Sequence, residues 1–79
     1  MSLKITLIKI LSSANLEYRN GWRTIEEVTK VLEVKFRYRY ADQTVRQSLY
    51  ELSRANKIER LYDFRVPAKE QLFKSEGAD

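Results

Sequence analysis

Gln43-Thr44-Val45-Arg46-Gln47-Ser48-Leu49-Tyr50-Glu51-Leu52, with Asn56-Lys57-Ile58-Glu59-Arg60 close behind, is the stretch that decides how this chain reads. Val45, Leu49 and Leu52 recur at the spacing of one helical face, with Ser48 and Ala55 as small residues at its edges. The opposite face then carries Gln43, Arg46, Gln47, Tyr50 and Arg54, with Glu51 at its margin as the single acid. Amides, guanidinium groups and a phenol on one helical face are the side chains that reach hydrogen-bonding groups in a nucleic-acid groove. Asp42 precedes the run as an expected N-cap, and the helix is expected to end near Asn56.

Working backwards, the residues before this helix alternate cation and aromatic: Lys35, Phe36, Arg37, Tyr38, Arg39, Tyr40. Cations neutralise phosphate, and rings lie against sugar or base. From Lys35 to Arg46 there are four cations (Lys35, Arg37, Arg39, Arg46) and one acid (Asp42), so +3 of the net +4 sits in this stretch. The same run also suits a solvated loop whose aromatics cover the core, with Phe36 inward in either case.

Composition removes several classes. The 79 residues make one small domain with a modest core, and 43% hydrophobic against 33% charged residues is ordinary for a globular chain. No apolar run approaches the roughly 20 residues of a membrane span, and Lys4 and Lys9 interrupt the N-terminal apolar stretch where a leader would need continuity. The expectation is no membrane association and a cytoplasmic location, at the nucleoid if the source is prokaryotic or viral. With no cysteine and no histidine, disulfides, thiolate chemistry and the usual zinc sites are excluded. The two glycines, Gly21 and Gly77, form no phosphate-binding loop. We expect no enzyme, no cofactor, no metal and no small-molecule ligand.

The remaining elements support the central helix. Ser2 to Ala14 places Leu3, Leu7, Ile10, Leu11 and Ala14 on one helical face, leaving Ile5 and Ile8 as a second stripe. That stripe is a packing surface or the seam of a homodimer. Asn20 and Gly21 form a turn, and Trp22 and Arg23 a short extended piece. Thr24 and Glu27 form a capping box that starts a helix at Ile25, with Ile25, Val28 and Leu32 inward. Beyond the central helix, Lys57 to Phe64 and Glu70 to Lys74 read as a hairpin whose tip is Arg65 to Lys69, and residues 75–79 as a frayed tail.

Helix, short strand, helix, helix, hairpin is an order that resembles the winged helix-turn-helix family. The closest likeness is the run from Gln43 to Leu52 followed by Asn56 to Arg60, within residues 22–74. The resemblance implies an α+β, mainly α fold over residues 1–74. It implies that Gln43, Thr44, Arg46, Gln47 and Tyr50 face the major groove of double-stranded DNA, with the hairpin tip along the adjacent backbone or minor groove. The likeness breaks at the connection between the second and third helices. In the family this is similar to a short turn, often with glycine, whereas here it is longer, charged and glycine-free.

The functional expectation is therefore a small sequence-specific DNA-binding protein that regulates transcription. Gln43, Thr44, Arg46, Gln47 and Tyr50 read bases, and Lys35, Arg37, Tyr38, Arg39, Arg54, Arg65 and Lys69 hold the backbone. Ile5 and Ile8 are the dimer candidates. A winged-helix protein-interaction adaptor is the alternative, followed by single-stranded DNA or RNA binding through Tyr38, Tyr40 and Tyr50.

Overall fold

The computed structural model describes residues 2–67 and 70–76. Among the described residues are three α-helices, a short 3-10 helix (Arg19–Gly21) and a three-stranded antiparallel sheet, an α+β arrangement compatible with a winged-helix layout. The helices are α1 (Leu3–Ser12), α2 (Ile25–Lys35) and α3 (Asp42–Arg54); the strands are β1 (Arg23–Thr24), β2 (Ile58–Leu61) and β3 (Leu72–Ser75), in the order β1-β3-β2.

Each boundary has a local cause. Ser2 caps α1, its hydroxyl accepting from the Ile5 N–H at 3.2 Å. In the capping box of α2, Thr24 Oγ1 accepts from Glu27 N–H at 3.1 Å and Glu27 Oε1 accepts from Thr24 N–H at 2.9 Å. For α3 the expected cap is corrected. Ala41 is the extended residue before the helix, its carbonyl accepting from Thr44 and Val45, and Asp42 is already helical. Its carboxylate still lies where a helix N-terminus favours negative charge. The helix stops at Arg54 rather than Asn56, because Asn56 turns to φ +59°. Asn56 N–H then bonds Ser53 O at 3.1 Å and Lys57 N–H bonds Leu52 O at 2.9 Å, closing the helix as a Schellman motif.

The core forms where the three helices meet the sheet. Leu7 and Leu11 of α1, Val28 and Leu32 of α2, Val45 and Leu49 of α3 and Phe73 of β3 are all essentially inaccessible to water. Phe73 sits on the middle strand, paired to Arg23 on one side and Arg60 on the other, so the single large core ring lies where the helices and both outer strands converge. Ser75 does not belong to a frayed tail. It is buried, pairs with Ile58, and its hydroxyl is 3.1 Å from that of Ser12. A polar residue can end a core strand when a second hydroxyl satisfies it. Residues 77–79 of that expected tail lie outside the described residues.

The segment before β1 is held by one side chain. Arg23 donates to the carbonyls of Asn15 (2.9 Å), Tyr18 (2.8 Å) and Trp22 (2.9 Å). Gly21, at φ +90°, lets the chain turn there; an added Cβ would meet Leu16 Cδ2 at 2.9 Å.

Candidate nucleic-acid interface

The outward side of α3 is built by burial of the other side. With Val45, Leu49 and Leu52 inward, Gln43, Thr44, Gln47 and Arg54 are left exposed and Arg46 half-exposed. Arg46 and Arg54 form no ion pair among the described residues. Glu51, the acid at the margin, is neutralised from α1: Lys4 Nζ lies 2.6 Å from its carboxylate, and Gln47 Nε2 donates to it at 3.0 Å. The Lys4 hydrogen bond, seconded by Gln47, holds the Glu51 pKa below the ordinary carboxylate value. Beyond Asp42, that side presents no uncompensated carboxylate.

Tyr50 is placed differently from its helical neighbours. It is half-buried, its ring is tilted against Phe73 at 6.1 Å, and the Arg60 guanidinium lies 4.1 Å above it. Arg60 is held in turn by Gln71 Oε1, at 3.1 Å from Nε and 2.6 Å from Nη2, and also lies 5.0 Å from the Tyr62 ring. The tyrosine ring thus closes the junction of α3 with the sheet instead of standing beside Gln43 and Gln47. Its position at the edge of the core stripe is what recruits it.

The connection between α2 and α3 spans Phe36 to Ala41. Arg37 takes the left-handed conformation at φ +59° that glycine commonly occupies after a helix, and Tyr38 N–H turns back onto Leu32 O at 3.0 Å. The absent glycine is thereby explained: an arginine fills its place. Phe36, Tyr38 and Tyr40 form a run of ring contacts, stacked then edge-on, each with centroids 6.3 Å apart. Alternating with the rings, Arg37 and Arg39 project into solvent without a described acidic partner.

At the hairpin tip, Asp63 organises the turn. Its carboxylate accepts from the Arg65 backbone N–H at 2.9 Å and from Arg65 Nε and Nη2 at 3.1 and 3.0 Å. Arg65, expected as a phosphate contact, therefore carries a compensated charge; its side-chain bond to Asp63 holds the acid below and the arginine above their ordinary pKa values. Beside Arg65, whose side chain is 77% exposed, the described part of the tip exposes two rings, Tyr62 at 61% and Phe64 at 80%. Alternation of bulky residues signalled this strand, but not which of its rings would stay outside. Lys69 lies outside the described residues.

Lys35 is placed at a cleft between α1 and α2 rather than beside α3. Of the two dimer candidates, Ile5 is 51% exposed, whereas Ile8 is half-buried against the core and lines that cleft. No described helix is long and apolar enough to cross a membrane, and the described residues form no His, Cys, Asp and Glu group able to hold a metal. The chain matches no protein-family model, no curated protein and no solved structure.

Proposed function

We propose that this chain is a winged-helix protein that binds double-stranded DNA with α3 and regulates transcription by occupying its site. The observation that carries the reading is the outward side of α3, where Gln43, Thr44, Arg46, Gln47 and Arg54 stand together and Glu51 is compensated by Lys4. Uncharged amides beside guanidinium groups suit the donor and acceptor pattern of a major groove. Arg37 and Arg39, immediately before the helix, neutralise phosphate and set its register.

Tyr50 enters this proposal as a support that holds Arg60 and β3 under the helix, not as a base reader. The hairpin meets DNA through Tyr62 and Phe64 more than through Arg65, whose charge Asp63 already balances.

The test is selection of bound duplexes from a random pool, followed by affinity for the winner across a salt series. Log affinity should fall linearly with log salt, and Arg39→Ala should reduce that slope by about 1 on every sequence alike. Arg65→Ala should change it far less. Absence of duplex binding at low salt would leave the adaptor reading in its place, and a single strand that outcompetes duplex of equal length would assign the surface to unpaired nucleic acid.

A further inference from the structure

Away from α3, an open cleft of about 790 Å³ runs between α1 and α2. Its apolar lining comes from Ile8, Ile10 and Ala14 on the α1 side and from Val31 and Phe36 on the α2 side, together with Tyr18. The apolar surface does not stop at the cleft. Ile5 lies one turn before Ile8 and Val34 one turn after Val31, and they are 51% and 64% exposed.

Cations outnumber acids in the lining of this cleft. Lys9 stands on α1, and Lys30 and Lys35 stand on α2. Lys30 and Lys35 form no ion pair among the described residues. The one acid of the lining, Glu27, is already engaged by the Thr24 N–H and by Arg19 at 3.2 Å.

We propose that this cleft is a docking groove for an acidic amphipathic helix of a partner protein, its apolar side on Ile8, Val31 and Phe36 and its carboxylates on Lys30 and Lys35. Three features select this occupant. An apolar helix face laid in a groove between two helices is a recurring mode of recognition, and it covers residues on both walls. A small amphiphile filling the cleft would leave Ile5 and Val34 wet and would offer one carboxylate to the two cations Lys30 and Lys35. A second copy of this chain would bring like-charged rims together, which costs affinity instead of adding it.

The groove and the α3 surface use different residues, so the two readings can fail separately. The probe is a synthetic peptide of about 18 residues, long enough to hold a helix, with leucines at i, i+3, i+4 and i+7 and glutamates on the flanks. It is titrated into the isotopically labelled full chain and followed by amide chemical shifts. Shifts should concentrate at Ile8, Val31 and Phe36, and Lys30→Glu should weaken the peptide by about tenfold while leaving duplex DNA affinity within about twofold.

Serine in place of the peptide's leucines should abolish binding. Arg37→Glu with Arg39→Glu should abolish duplex binding and spare the peptide. Failure of the peptide to bind, or binding undiminished by Lys30→Glu, would overturn the proposal. It would equally be overturned if decanoate saturated the same amides, assigning the cleft to a small amphiphile, or if dilution without peptide shifted them, assigning it to a second copy.

Discussion

Gln47 shows how one side chain can be half committed. Its amide nitrogen donates to Glu51, leaving its carbonyl oxygen and a second N–H on an exposed residue still able to accept and donate. That residual pair is the donor and acceptor set that matches an adenine edge, and Arg46, one position before it, suits guanine. Gln47→Ala or Arg46→Ala should therefore cost about 1–3 kcal/mol on the selected site and little on random duplex, read as the difference between two binding isotherms. Equal losses on both duplexes would remove the base-reading role. Tyr50 carries the opposite lesson, because a tyrosine at the border of a helical core stripe has a ring that packing can claim. Phe73 and Arg60 claim it here.

Among the elements, α2 depends most visibly on its first turn. Thr24 closes β1 and caps α2 at once, so a single hydroxyl joins the sheet to the helix that walls the cleft. Thr24→Ala should lower stability by about 1 kcal/mol in denaturant unfolding, with no change in the slope against denaturant. Thr24→Ser, which keeps the oxygen, should recover most of it. This capping box was readable from the spacing of Thr24 and Glu27, since both partners are three residues apart in sequence and need no tertiary neighbour. The α2–α3 connection was not. That Arg37 would take a left-handed conformation, and that α3 would begin at Asp42 with Ala41 outside it, follows from how the helices pack and where the chain must turn between them.

For the whole molecule, stability should fall in acid through two surface pairs. Glu51 beside Lys4 and Asp63 beside Arg65 have folded pKa values below their unfolded ones. Their contribution is complete above the unfolded value, about 4, and is lost as pH falls through the lowered folded values. Both pairs are solvent-facing, so the change is small. The midpoint of thermal unfolding should decline below about pH 4, and Lys4→Met should flatten that decline while leaving the neutral-pH fold intact. A pH profile identical in Lys4→Met and the parent chain would dismiss the pair between α1 and α3 as a contributor.

By itself the sequence determined the three helices, the hairpin, the inward leucines of α3 and the cation-rich approach to it, because periodicity and capping act within a few residues. Tertiary structure alone decided which charges remain available. Lys4 reaches Glu51 from 47 positions away and Gln71 reaches Arg60 from across a hairpin, while the cleft is lined jointly by α1, α2 and the segment between them. Compensation of charge and the shape between helices are properties of distance in space, and no local pattern along the chain encodes them.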